Sequence, residues 1–180
     1  MKFPRLGVNI DHVATIRNSR GETYPSPLRA ALLVEKYGGN SVTIHLREDR
    51  RHIKDQDLKK IKSKLQIPLN LEMAPTKEML KISLKHKPNY VCIVPEKRNE
   101  ITTEGGLNIK KKSNYIKQII KKLKSKNIRT SLFIEPNTKD IEIAKKINAD
   151  CIEIHTGKFC NLFNKKKNFL KEINKIKKGV

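Results

Sequence analysis

The stretch Gly7-Val8-Asn9-Ile10-Asp11-His12, continued by Val13-Ala14-Thr15-Ile16-Arg17-Asn18-Ser19-Arg20-Gly21, decides the fold, because a short apolar strand runs straight into a dense set of polar and ionisable side chains. Strands that end in chemistry are how barrel enzymes are built. The pattern recurs along the chain. Ser41-Val42-Thr43-Ile44 ends in His45-Leu46-Arg47-Glu48, and Ile67-Pro68-Leu69-Asn70-Leu71 ends in Glu72-Met73. Asn89 to Val94 stops at Pro95-Glu96-Lys97-Arg98, with Thr102-Thr103-Glu104-Gly105-Gly106 close behind. Thr130 to Ile134 leads into Glu135-Pro136, and Cys151 to Ile154 into His155-Thr156-Gly157. Strand-like runs separated by longer stretches of helical composition predict a parallel sheet with crossover helices.

The helices follow from apolar spacing and stop signals. Pro27 opens one through Leu28, Ala31, Leu32 and Val34, closed by Gly38 and Gly39. Asp55 to Leu65 is a second, and Thr76 caps a third from Lys77 to Lys85. Ser113 caps a fourth carrying Ile116, Ile119, Ile120 and Leu123. Thr138 to Ile147 and Asn164 to Lys178 complete the set.

Parallel strands are buried on both faces, and the runs Val8 to Ile10, Val42 to Ile44, Val91 to Val94 and Leu132 to Ile134 are apolar enough for that. The polar residues after them gather on one rim, the active-site face of a barrel or the crevice of an open doubly wound sheet. A complete eight-fold barrel takes about 250 residues, and this chain has 180. The expectation is therefore a single domain over residues 1–180, an incomplete TIM-type (β/α) barrel with about six of eight βα units. An open six-stranded sheet with two edges to protect is the competing arrangement.

Composition narrows the class. The chain is 37% hydrophobic without Trp, enough for one core. Its N-terminus lacks the order of a signal peptide, and no apolar run approaches a membrane span. Cys92, Cys151 and Cys160 have no metal-ligand spacing, and the first two fall in strands expected to be buried, as thiols of a reducing cytosol would. The net charge of +22 would favour nucleic acid or an anionic membrane. Its distribution argues otherwise, because most lysines follow residue 53 on the outer helices, while seven of the nine arginines precede residue 52 near the strand ends. Guanidinium forks at a rim suit a phosphorylated small substrate.

The segments GVNIDHVATIRNSRG, TIHLREDRRHI, NLEMA, VPEKRNEITTEGGL, SLFIEP and IEIHTG, in this order, resemble the pyridoxine 5′-phosphate synthases, enzymes that close the pyridine ring in vitamin B6 biosynthesis. The resemblance covers residues from about 5 to 160. It implies a cytoplasmic homo-octamer of TIM-type barrels that uses no metal or organic cofactor. The reaction it implies condenses 3-amino-2-oxopropyl phosphate with 1-deoxy-D-xylulose 5-phosphate, giving pyridoxine 5′-phosphate, phosphate and water. His45 and Glu72 match acid/base positions of the family, and Glu153 a position that stabilises charge in the intermediates. Asn9 and Arg20 match residues that hold the amino-ketone phosphate. Asp11, His12, Arg47, His52 and Thr102 match residues that hold the pentulose phosphate, with Arg47 and His52 at the phosphate and Asp11 at a hydroxyl.

The family pattern also includes a third acid/base histidine after a seventh strand and a phosphate cradle after strands seven and eight, neither of which is found in the 180 residues. The expectation is that the chain alone is inactive unless that segment is supplied. Two further readings stay open. A metal-dependent hydrolase would use His12, His45, His52, Asp11 and Glu72, though no His-x-His pair lies on a strand. A non-catalytic basic protein that binds nucleic acid rests on charge alone. Glu48, Asp49, Arg50 and Arg51 read as a local ion-pair network.

Overall fold

The structure, a computed structural model, describes residues 3–96 and 105–179. Six strands, β1 (Gly7–Asn9), β2 (Ser41–His45), β3 (Leu69–Met73), β4 (Tyr90–Ile93), β5 (Arg129–Ile134) and β6 (Cys151–Ile154), form one sheet in the order β1-β2-β3-β4-β5-β6. Every neighbouring pair is parallel. A doubly wound sheet reverses its strand order at a switch point, and this sheet never does. Crossovers of one hand without reversal put the helices on one side of the sheet and curl it toward closure. The architecture is an incomplete TIM-type barrel in which, among the described residues, β1 and β6 each pair on one side only.

The helical face of the sheet carries the core. Val42, Ile44, Leu69, Leu71, Met73, Val91, Ile93, Leu132 and Ile134 are no more than 1% exposed, and burying each such side chain stabilises the fold by about 1.5–3 kcal/mol. Against them pack α2 (Pro27–Lys36), α3 (Asp55–Lys64), α4 (Lys77–His86), α5 (Ile109–Lys124) and α6 (Thr138–Lys146). The caps follow the sequence. Ser26 Oγ accepts the Arg29 N–H at 3.3 Å with Pro27 in the first turn, Thr76 Oγ1 accepts the Met79 N–H at 3.3 Å, and Asn137 Oδ1 accepts the Asp140 N–H at 2.9 Å. Gly38 leaves α2 at a φ of +85°, where a side chain would be strained.

Several expectations need correction. Burial on both faces holds for β4, where Val91, Cys92 and Ile93 are all 0% exposed, whereas the edge strands β1 and β6 are half-buried at most. The face away from the helices carries Asn9, Thr43, His45, Asn70, Glu72, Cys92, Ser131 and Glu153 in alternation, polar where closed barrels stack branched aliphatics. Cys151 is exposed, because β6 is an edge strand whose inner residues face solvent. The helix expected over Asn164 to Lys178 is the shorter α8 (Leu170–Lys178), and an additional helix, α7 (Gly157–Asn164), precedes it. Lys166, at a φ of +52°, separates them, and Phe169 folds back so that its ring lies 5.5 Å from Phe159 and 5.6 Å from Phe163. α5 begins at Ile109 rather than after Ser113, but Lys112 is non-helical, so its regular part does start at Ser113. A further helix, α1 (Asp11–Arg20), crosses the rim directly after β1.

Candidate active site

The polar strand ends converge where the sequence places chemistry. β1 ends in Asn9, whose Nδ2 donates to Asp11 Oδ2 at 2.9 Å. Asp11 Oδ1 in turn accepts the His45 backbone N–H at 2.7 Å, which locks the end of β2 to the start of α1. His45 pairs with Glu72 in the β2–β3 register, and its Nδ1 lies 3.6 Å from Glu72 Oε2. Its Nε2 lies 2.8 Å from Glu96 Oε1, while Glu96 Oε2 accepts the Glu48 N–H at 3.0 Å. Across the curled inner face, Cys92 Sγ donates to Glu153 Oε2 at 3.5 Å.

Electrostatics divide these carboxylates by role. Burial, with Glu153 and Asp11 nearby, lifts Glu72 from 4.5 to about 7 despite the opposing pull of His45 and a hydrogen bond from Asn9. Burial alone would lift Glu96 as well, but hydrogen bonds from His45 and the Glu48 N–H, with Arg47 close by, bring it below the ordinary carboxylate range. Two carboxylates on one histidine therefore differ in protonation near neutral pH, the arrangement that lets a site give and take protons. The Cys92 thiol is pushed well up by burial and by Glu153, so it stays protonated.

The second cluster is built by α1. Arg17 Nη1 meets Asp57 Oδ1 at 2.6 Å, with Arg17 buried and Asp57 partly so, and Asn18 Nδ2 donates to the His52 carbonyl at 2.8 Å. These bonds hold the loop after β2 against α1. There His52 Nδ1 lies 2.8 Å from Thr15 Oγ1, and the His12 and His52 rings meet edge-on with centroids 6.0 Å apart. Burial lowers the His52 pKa, with His12, Arg47 and Arg51 adding to the effect, so a neutral imidazole faces the rim at pH 7. Arg47 is 3% exposed, and its Nε lies 3.7 Å from Asp49 Oδ1. The remaining loop charges form the expected network, with Arg50 bonded to Asp55 at 2.8 Å and Glu78 at 2.7 Å, and Arg51 to Asp49 at 2.6 Å.

The structure thus brings together Asn9, Asp11, His45, Glu72 and Glu153, with His12, Arg47 and His52 beside them. It does not bring Arg20. That residue is exposed at the last position of α1, and at 1.5 Å per residue its Cα is about 14 Å from that of Asp11. Thr102 lies outside the described residues.

A model of the family described as pyridoxal phosphate biosynthesis protein PdxJ matches residues 6–180. The chain belongs to this family. It is 59% identical over 174 residues to a pyridoxine 5′-phosphate synthase of Pelagibacter ubique (strain HTCC1062), an alignment covering 97% of this chain and 73% of that one. Against a pyridoxine 5′-phosphate synthase of Ehrlichia chaffeensis it is 54% identical over 156 residues, covering 87% of this chain and 65% of the relative. Solved structures add the fold alone. A D-psicose 3-epimerase from Clostridium cellulolyticum H10 superimposes with a TM-score of 0.53 at 9% identity, over 84% of this chain and 62% of that one. A phosphoribosylanthranilate isomerase from Thermotoga maritima does so with 0.53 at 13%, over 91% and 71%.

Within the family fold, sequence reasoning gave no role to Glu96, Glu135 or His155. Glu96 stands two residues beyond the end of a strand-like run, the one signal that could have marked it. Glu135 Oε1 accepts both the Gly106 N–H at 2.8 Å and the His155 Nδ1–H at 2.9 Å, which ties the ends of β5 and β6 to the segment returning after β4. A Cβ on Gly106 would collide with the backbone of Ile134 and Glu135, so only glycine allows that approach. Among the described residues, no three of His, Cys, Asp or Glu stand together as a metal ion requires. No helix of the described residues is long and apolar enough to cross a membrane.

Proposed function

We propose that this chain, once the segment with the third acid/base histidine and the phosphate cradle is supplied, works as a pyridoxine 5′-phosphate synthase, condensing 3-amino-2-oxopropyl phosphate with 1-deoxy-D-xylulose 5-phosphate into pyridoxine 5′-phosphate with loss of phosphate and water. The observation that carries the reading is Glu72 set 3.6 Å from His45 on the neighbouring strand, where partial burial lifts its carboxyl toward neutrality. An amine must attack a ketone, water and phosphate must leave, and a ring must close and aromatise, so protons move in both directions near neutral pH.

In this reading His45 and Glu72 exchange protons with the substrates, and Glu153, facing them across the inner surface, stabilises positive charge on the imine-type intermediates. Asn9 holds the carbonyl end of the amino-ketone, and Arg20 the phosphate, which its position on this chain leaves to a site beyond the Asp11 cluster. Arg47 and His52 take the pentulose phosphate, the first as a guanidinium fork and the second as a neutral hydrogen-bonding ring. Asp11 and His12 hold the pentulose hydroxyls, with Thr102 as a further contact. The reading carries no metal or organic cofactor. A homo-octameric assembly in the cytoplasm goes with it, as do phosphorylated small molecules rather than nucleic acid as partners.

Titration calorimetry with 1-deoxy-D-xylulose 5-phosphate tests the reading. One site per chain is expected, weakened at least tenfold in Arg47→Ala through loss of a charge-assisted phosphate contact. Absence of binding, or binding indifferent to Arg47, contradicts it.

A further inference from the structure

We propose that Glu96 is the positioning residue for His45, fixing its tautomer so that Nδ1 is the atom that trades a proton with Glu72. An ionised carboxylate only accepts, and Glu96 is held in its ionised form by His45, by the Glu48 N–H and by Arg47 nearby. The ring nitrogen 2.8 Å from Glu96 Oε1 must therefore carry a hydrogen, so Nε2 is the donor. In the neutral ring Nδ1 is then bare, and it is the nitrogen that faces Glu72 Oε2.

The grip is two-sided. Glu96 Oε1 takes the ring of His45, and Oε2 takes the backbone of Glu48 at 3.0 Å, three residues further along the same loop. The Asp11 carboxylate holds the backbone of His45 from the opposite side. Ring and main chain of His45 are thereby fixed by carboxylates from two different elements, at a side-chain exposure of 6% for both His45 and Glu96. This is the logic by which a buried carboxylate orients an imidazole for proton transfer.

The step that follows balances. With Glu72 protonated, its O–H bond breaks and an N–H bond forms at His45 Nδ1, leaving a Glu72 carboxylate and an imidazolium whose Nε2–H stays on Glu96. No net charge is created, and the Glu96 carboxylate stabilises the cation as it forms. At 3.6 Å, Nδ1 and Oε2 are just beyond a direct hydrogen bond, so a small rotation of Glu72 or a substrate atom between them completes the path. The role in turnover rests on the synthase reading, whereas the tautomer does not.

The test is long-range ¹H–¹⁵N correlation on the histidine-labelled chain. His45 is expected with a bare Nδ1 and a protonated Nε2. In Glu96→Ala the preference is lost. In Glu96→Gln one amide oxygen cannot serve both His45 and Glu48, so the tautomer is again mixed or inverted, with the fold verified by circular dichroism. A wild-type ring with its hydrogen on Nδ1, or an unchanged tautomer in both variants, overturns the proposal. In turnover with the segment of the third histidine and phosphate cradle supplied, Glu96→Gln is expected to lower kcat by about 10- to 100-fold at a KM within twofold. A rise in KM at unchanged kcat also overturns it. Absence of pyridoxine 5′-phosphate even with the segment of the third histidine and phosphate cradle supplied would count against the synthase reading, while the nitrogen spectra would still decide the role of Glu96.

Discussion

Replacing Glu72 by Gln should stabilise the fold in a pH-dependent way that can be worked from the structure. The carboxyl rises from 4.5 to about 7 on folding, chiefly through burial, and its side chain is 17% exposed. A group whose folded pKa lies above its unfolded one keeps its proton longer in the native state. The protonated form therefore stabilises the fold fully below pH 4.5, and that contribution is lost as the pH climbs to about 7. At about 1.4 kcal/mol for each pH unit between those values, the total is roughly 3 kcal/mol. Gln cannot ionise and does not carry this loss. In urea denaturation at pH 5 and at pH 8, the difference in stability between Glu72→Gln and wild type should shift by about 2.5 kcal/mol in favour of the variant at the higher pH. An equal difference at both values would show that Glu72 ionises as freely in the folded chain as in the unfolded one, and the proton-transfer argument would fail with it.

Other outcomes follow from the same geometry. In turnover, Glu72→Gln should lose about 10²–10⁴ in kcat with KM little changed, because shape is kept and proton transfer is not; comparable losses in both constants would place Glu72 in binding instead. Arg17→Ala leaves the half-buried Asp57 with only the Lys54 N–H as partner among the described residues and should cost about 1.5–3 kcal/mol in denaturant titrations, whereas a loss under about 0.5 kcal/mol would mean the pair is better solvated than the structure shows. Gly106→Ala forces the backbone off Ile134 and Glu135 and should destabilise by roughly 1–3 kcal/mol, with neutral behaviour contradicting the close approach. Arg20→Ala should leave pentulose phosphate affinity within twofold, since about 14 Å of helix separates it from Asp11; a large loss would bring Arg20 into that subsite.

Much of this was legible in the chain because barrel strands carry their information at their ends. His45, Glu72 and Glu153 each close a β-branched or aliphatic run, and the register sets the first two side by side. Strand–helix alternation made a parallel sheet legible, while by itself it fits a barrel and a doubly wound sheet alike. α1 was not, because its buried stripe is Asp11, Ala14 and Arg17, two of them charged, so apolar periodicity passes it by. The break between α7 and α8 was hidden too, as a lysine in a left-handed conformation leaves no composition signal. The polar inner face explains why Thr43, Asn70 and Ser131 are only half-buried while Cys92 is buried as expected. Asn70, Cys92 and Ser131 interrupt runs that otherwise read as buried on both sides, and only the curl of the sheet shows that they share a surface with Glu72 and Glu153. Glu96 escaped because its importance depends on a contact 51 residues away in sequence.

The central claim is that strand ends far apart in sequence form one cavity for a phosphorylated pentulose and its reaction partner. A crystal structure of the chain soaked with 1-deoxy-D-xylulose 5-phosphate tests it most directly. The account predicts the phosphate against Arg47 and His52, with the carbonyl end directed toward His45 and Glu72. Density for the sugar phosphate on the outer helices or at the opposite end of the strands would contradict it.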